Sequence, residues 1–289
     1  MNIVFSEKCL EYWSPGHPES PDRVYRAYKL LKEEGFQFIQ PEPCSEEDLL
    51  LVHSRDFVES IKDEVFYDPD TPALPGIYDY ARLAAGAAIK SMELSLGGEI
   101  SFSLMRPPGH HAGINGKALN APTLGFCYFN NIAIACKKAL QRVDKIAIVD
   151  IDCHHGNGTQ EIFLGDPRVI FVSLHRYSGV YPGTGEKSIQ NCLNFPFNYA
   201  VGDREYIRVL NAALKEVEKF DPDLIAVSAG FDTYKHDPVC TLGLSMESYF
   251  KIGSMISELG IKTFAILEGG YARDLPRCIL NFLKGLEQM

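Results

Sequence analysis

Six short runs of the chain, residues 3–5, 100–105, 146–151, 169–174, 224–228 and 264–267, are nearly continuous in apolar, mostly β-branched or aromatic side chains. A strand with one face in water alternates polar and apolar positions. Runs that lack this alternation belong to strands buried on both faces, and a parallel sheet covered by helices on both sides is the architecture that buries them. The stretches between them supply the cover: residues 23–34, 46–63, 76–96, 205–220 and 246–259 are amphipathic with a helical period. This alternation predicts an α/β fold with a mainly parallel sheet flanked by helices. The Pro-rich patches at 14–21 and 68–75 are short and flanked by helical patterns, and no repeat or low-complexity tract appears. Residues 1–289 therefore read as a single domain.

In open α/β sheets ligands bind beyond the carboxyl ends of the strands. Five of the runs deliver polar clusters to that rim: Arg106 to His111, Asp150 to Asn157, His175 with Arg176, Ala229 to Asp232, and Glu268 to Tyr271. Asp152 and His154 are two apart at a strand end, so both point to one face while Cys153 points away. A carboxylate and an imidazole joined by one more carboxylate make a three-ligand site with an open position, the pattern of a catalytic zinc. Asp232 is the best third ligand, with Gly230 letting the backbone turn close to the metal. The competing reading is that Asp152 and His154 only cap a helix starting near Asn157. His110 and His111 follow a rigid Pro-Pro-Gly turn and can offer a general base and an electrostatic partner, or can simply pack or be solvated. Tyr271 follows Gly269 and Gly270 and could donate to a developing oxyanion, although one tyrosine among 14 can equally be a core residue.

Composition narrows the partners. The formal net charge is −10 and no Lys/Arg cluster appears that could neutralise phosphates, which argues against nucleic acid. An acidic surface favours cationic small molecules or basic protein segments. The eight cysteines are scattered without a Cys-x-x-Cys pair in a chain too long to need disulfide staples, so they are expected to be reduced, mostly buried thiols of a cytoplasmic protein. The first residues lack a signal-peptide pattern and no run reaches 18 apolar residues, so neither secretion nor a membrane is expected.

The runs RPPGHHA (106–112), GFCYFNN (125–131), DIDCHHGN (150–157), AGFD (229–232) and EGGY (268–271) resemble, in order, the zinc-dependent histone deacetylase family. The likeness is to its class II and acetylpolyamine amidohydrolase-like branch, and it extends from HPESPDR (17–23) to Arg273, nearly the whole chain. It implies an arginase/deacetylase-like α/β fold and hydrolysis of acetyl amides. By resemblance, one Zn2+ is held by Asp152, His154 and Asp232. His110 pairs with Asp150, His111 is the principal general base and acid, and Tyr271 polarises the substrate carbonyl. Asn157 stands behind His111 where class I enzymes carry an aspartate, which makes His111 less basic. Gly125, Phe126, Tyr181, Val239, Gly269 and Gly270 match the substrate channel, Asp70 an acidic rim residue, and Arg23 the acetate-exit channel. Val239 replaces a larger leucine, methionine or glutamate of relatives and removes one handle for selecting polyamines. K+ is implied at Asp150, Asp152, His154, Ser173 and Leu174. The implied substrate is a small acetylated amine such as an acetylpolyamine, or an acetyl-lysine peptide, with a homo-oligomer possible around the mouth.

Two other functions compete. A two-manganese ureohydrolase of the same fold needs Asp-x-His-x-Asp, and Gly156 stands where its last aspartate should be. A non-catalytic acetyl-ligand scaffold would have lost a ligand, a histidine of the pair or the tyrosine, and all are present. His155 and His175 read as packing or supporting histidines, His17 and His53 as structural. His236 reads as either lining the mouth or solvated, Trp13 as rim or N-terminal packing, and residues 113–124 as an irregular loop shaping the entrance.

Overall fold

The computed structural model describes residues 1–288. Among them are ten strands: β1 (Asn2–Val4), β2 (Gln37–Ile39), β3 (Ser101–Ser103), β4 (Ala112–Gly113), β5 (Gly116–Lys117), β6 (Ile146–Asp150), β7 (Val169–Arg176), β8 (Cys192–Phe197), β9 (Leu224–Ala229) and β10 (Thr263–Leu267). The helices are α1 (Pro21–Glu33), α2 (Glu46–Leu49), α3 (Arg55–Lys62), α4 (Ile77–Leu96), α5 (Asn131–Ala139), α6 (Asn157–Phe163), α7 (Gly202–Phe220), α8 (Met246–Ser257) and α9 (Leu275–Leu286). Eight strands form one sheet in the order β2-β1-β3-β10-β9-β6-β7-β8, and every pairing in it is parallel.

Period-two alternation divides the core into two layers. On β6, Ala147 and Val149 enter one apolar cluster with residues of α1, α7, α8 and α9, while Ile146 and Ile148 enter the other with residues of α4 and α5. Both faces are covered, as the unbroken apolar runs require. The two strands that the sequence pattern does not reveal lie at the edges. β2 is only partly buried, and β8 carries Pro196, whose missing N–H an edge strand tolerates. Residues 46–63 form two helices rather than one. Ser45 and Ser54 each cap a first turn, accepting from Asp48 and Phe57, and the intervening His53 is buried with Nδ1 2.9 Å from the Gly113 carbonyl. Residues 113–124 are not wholly irregular, since β4 and β5 form a small antiparallel hairpin.

The cysteine expectation needs correcting. Cys153 and Cys240 form a disulfide, with Cα atoms 6.3 Å apart, while Cys9, Cys44, Cys127, Cys136, Cys192 and Cys278 are free and buried. The partners are 87 residues apart in the chain and meet only because the segments after β6 and β9 converge on one rim. Spacing alone holds no trace of that convergence. No helix among the described residues is long and apolar enough to cross a membrane.

Candidate active site

β6 and β9 are neighbours in register, Asp150 beside Ser228, so the segments leaving them run side by side. That brings Asp152, His154 and Asp232 together, all buried, with one possible ligand atom from each inside a 4.8 Å group. His154 Nδ1 lies 2.8 Å from Asp232 Oδ2 and 3.2 Å from Asp152 Oδ1. Gly230 makes the approach possible, since a Cβ there would overlap the Asp152 carboxylate. The outward oxygens are held by the backbone: Cys153 N donates to Asp232 Oδ1 and Gly269 N to Asp152 Oδ2, both at 2.8 Å. Asp232 Oδ2 is buried and faces His154 Nδ1 at 2.8 Å without the geometry of a hydrogen bond, so among the described residues none donates to it. Burial and the neighbouring Asp152 push the Asp232 carboxyl up to about 7, against the opposing pull of His154. An orphaned carboxylate oxygen, two carboxylates and one imidazole fit a divalent cation with an open position.

The histidine pair comes from the segment after β3. Glu268, at the end of β10, accepts from Gly109 N at 2.7 Å and His110 N at 3.3 Å, and Ser228 Oγ donates to its other oxygen. His110 Nδ1 is 2.9 Å from Asp150 Oδ2. Burial opposes its charge, but Asp150, Asp152 and Glu268 hold its pKa well above the ordinary imidazole value. The adjacent His111 behaves oppositely: burial together with the charges of His110 and His154 holds it well below. Its Nδ1 is 2.7 Å from Asn157 Oδ1, and Asn157 Nδ2 in turn donates to the Ala118 carbonyl at 2.9 Å. The second bond orients the amide, so Nδ1–H of His111 donates to the Asn157 oxygen and Nε2 keeps its lone pair. The result is an imidazole with its Nε2 free, packed 3.9 Å centroid to centroid against that of His110.

A cavity of about 140 Å³ leads to these groups, lined by His111, His154, Phe126, Tyr181, Tyr271, Gly125, Asp70 and Val239. The Tyr181 ring is edge-on to His111 at 4.9 Å and its hydroxyl donates to the Thr123 carbonyl. Phe126 is edge-on to Tyr271 at 5.8 Å. Asp70 is less free than an isolated rim carboxylate. Its Oδ1 accepts from Gly125 N and the Thr71 hydroxyl, and its Oδ2 from the Thr123 hydroxyl, so it also fixes the turn that presents Phe126. Val239 is 40 % exposed and stands at the mouth. Behind Tyr271, Arg23 stacks 4.5 Å from the ring centroid, donates to the Gly270 and Glu268 carbonyls, and pairs with Glu19. Ser173 and Leu174 lie buried on β7, the Ser173 hydroxyl 2.8 Å from His175 Nδ1.

His155 is held between Thr184 and Gln160 and packs on His175, while His17 faces the Asp70 carbonyl and the Phe126 ring. His53 accepts from Asn130 N, and burial lowers it to about 4. His236 is exposed against Tyr234, and Trp13 is 60 % exposed. Four carboxylates that organise the site carry no role in the sequence reading. Glu19 takes a bidentate bond from Arg106, Glu268 holds the histidine turn, Asp68 accepts from Leu124 N, and Asp237 accepts from Tyr271 N. Glu19 and Glu268 stand inside recognised motifs, which was the available signal. Asp68 and Asp237 act on backbone N–H groups, which no side-chain pattern reveals.

A parallel sheet whose strand ends gather a three-ligand metal cluster, an oriented neutral imidazole and a narrow channel defines a hydrolase of the metal-assisted kind. The histone deacetylase domain model matches residues 17–286. A probable deacetylase of Archaeoglobus fulgidus is 37 % identical over 98 % of this chain and 85 % of its own length. A histone deacetylase-like amidohydrolase of Pseudomonas aeruginosa is 34 % identical over 94 % of the chain and 77 % of its own. The crystal structure of the HDA15 HD domain superposes with a TM-score of 0.90 at 32 % identity, covering 100 % of this chain and 91 % of that one. The chain belongs to the histone deacetylase family, whose members depend on zinc, and it is a deacetylase.

Proposed function

We propose that residues 1–289 form a single zinc-dependent deacetylase domain that hydrolyses small acetylated amines, among them acetylpolyamines, to acetate and a free amine. The observation that carries the chemistry is the orientation of His111, whose Nε2 is left free beside the Asp152, His154 and Asp232 cluster. Zinc held by those three side chains would polarise the amide carbonyl and make the attacking water more acidic. His111 takes the proton of that water. His110, kept cationic by Asp150, supplies positive charge beside it and with His111 forms the pair that returns a proton to the departing nitrogen. The Tyr271 hydroxyl donates to the carbonyl oxygen as charge develops there. Burial, only partly offset by Arg23, keeps this phenol well above its ordinary pKa, so it acts as a hydrogen-bond donor. Phe126 and Tyr181 hold the aliphatic chain of the substrate, Gly125, Gly269 and Gly270 shape the channel, Val239 and Asp70 form its rim, and Arg23 lies on the path for acetate.

K+ belongs to the same reading, at Asp150, Asp152, His154, Ser173 and Leu174. Asp152 and His154 are buried, and among the described residues neither carbonyl receives a hydrogen bond, so a cation would satisfy them. A cytoplasmic location also belongs to it: six of the eight cysteines are buried free thiols in its favour, and the Cys153–Cys240 disulfide speaks against it. The net charge of −10 supports a cationic substrate. The test compares kcat/KM of the zinc-loaded protein for acetylputrescine, acetylspermidine and an acetyl-lysine peptide. The small amines are expected to be preferred. A higher value for the peptide would assign the protein to acetyl-lysine instead, and no turnover of any of them would favour an acetyl-binding scaffold.

A further inference from the structure

Tyr271 follows two glycines, Gly269 and Gly270. Gly270 sits at φ +118, a conformation that side chains rarely adopt, so the turn after β10 does not set the tyrosine's direction by itself. From one side the turn is held by Arg23, bonded to the carbonyls of residues 268 and 270. From the other side it is held by Asp237. One carboxylate oxygen of Asp237 accepts from Tyr271 N at 2.6 Å and Ala272 N at 3.1 Å. The other accepts from Val239 N at 2.9 Å and Cys240 N at 3.4 Å. A carboxylate has about four acceptor positions, and here four backbone N–H groups fill them. Asp237 is 9 % exposed; it is absent from the wall of the channel that Val239 and Tyr271 line, and it borders an adjoining open cavity that also touches His154, Tyr181 and Val239.

We propose that Asp237 is the positioning residue of the reaction: by binding the backbone of Tyr271 and of Val239 with one carboxylate, it fixes the direction of the tyrosine hydroxyl and the distance from it to the rim. It touches no reacting atom and works through Tyr271. This rests on the role of Tyr271 in the proposed function, and the two fail separately. The substitution is Asp237→Asn, which keeps the size and replaces one acceptor oxygen by an NH2 group that faces backbone N–H groups.

The expected result is a fall in kcat of about ten- to a hundredfold, the scale of a misplaced catalytic group, with KM changed much less. Zinc content should equal that of the parent, because Asp237 binds none of the three ligand side chains. The decisive measurement is the double variant. If Asp237 acts through the hydroxyl, Asp237→Asn combined with Tyr271→Phe is no slower than Tyr271→Phe alone. Should the asparagine variant fail to fold, Asp237→Glu retains the acceptors one methylene out of place and is expected to give the same non-additive pattern. Multiplying defects in the double variant, or an unchanged kcat for Asp237→Asn, would overturn the proposal. Undiminished turnover of Tyr271→Phe itself would instead overturn the role of the tyrosine.

Discussion

Changing Asn157 to aspartate turns the partner of His111 from a neutral amide into a negative charge at the same place. Nδ1 of His111 is 2.7 Å from Asn157 Oδ1, so the centres of an imidazolium and a carboxylate would stand about 4 Å apart. At an effective dielectric constant of about 20, two unit charges at that distance interact by ~4 kcal/mol, or ~3 pH units. Carboxylate–cation neighbours in proteins usually shift each other by about 1–3 units, which sets the expected range. The sign follows from the role of His111. Turnover needs the imidazole neutral and is lost as pH falls through its pKa; a neighbouring carboxylate favours the charged form, raises that pKa and moves the loss to higher pH. The assay is kcat/KM against pH for a fixed acetylated amine, whose acidic limb reports the free enzyme. The variant also loses the bond from Asn157 Nδ2 to the Ala118 carbonyl and turns an oxygen toward that carbonyl, at a cost of about 1–3 kcal/mol, so its thermal unfolding is followed alongside. A folded variant whose acidic limb stays in place would refute the assignment of that limb to His111.

Removing the metal with a chelator should abolish turnover and lower the thermal midpoint, because a cation bound by Asp152, His154 and Asp232 stabilises only the folded state; zinc should restore both, as read by activity and calorimetry. Gly230→Ala places a methyl group in the Asp152 carboxylate, so zinc measured per protein should fall while the circular dichroism spectrum stays that of the parent. Glu19→Gln leaves the buried guanidiniums of Arg23 and Arg106 without their shared charge and should cost ~3–5 kcal/mol in denaturant unfolding. Although burial works the other way, Arg106 and Arg23 hold Glu19 below the ordinary carboxylate pKa. Its stabilisation is therefore present above the unfolded-state pKa and lost as pH falls through the folded one, and this acid-side loss should be smaller in Glu19→Gln than in the parent.

The central strands announce themselves because burial on both faces leaves nothing but apolar residues in them, as in Ile146 to Val149. The edge strands β2 and β8 are half-wet, and their short mixed sequences look like loop. α5 is buried on nearly every side, so it shows no polar stripe to mark a helix. Within the site, the residues bearing chemistry on their side chains stand out because rim clusters follow buried strands directly. What the sequence does not display is support through the main chain. Asp237 grips four N–H groups, and Ala118 orients Asn157 by its carbonyl. Such contacts depend on where backbones meet, and hardly at all on which residues carry them.

The place of β10 in the sheet has a consequence for how the molecule comes into being. β10 is the last strand in the chain, yet it lies between β3 and β9, separating β2-β1-β3 from β9-β6-β7-β8. The metal ligands follow β6 and β9 on one side of that seam, and the histidine pair follows β3 on the other. In a chain that ends at residue 262, β3 and β9 each lack the neighbour that the complete sheet gives them, and the two halves of the catalytic apparatus lie on opposite sides of that gap. Insertion of β10 closes both edges and carries in Glu268 and Tyr271, which bind the histidine turn and complete the channel. The sheet and the site are therefore completed by the same strand, through contacts distant in sequence, and a chain clipped before β10 is expected to be inactive and to expose sheet edges at the same time.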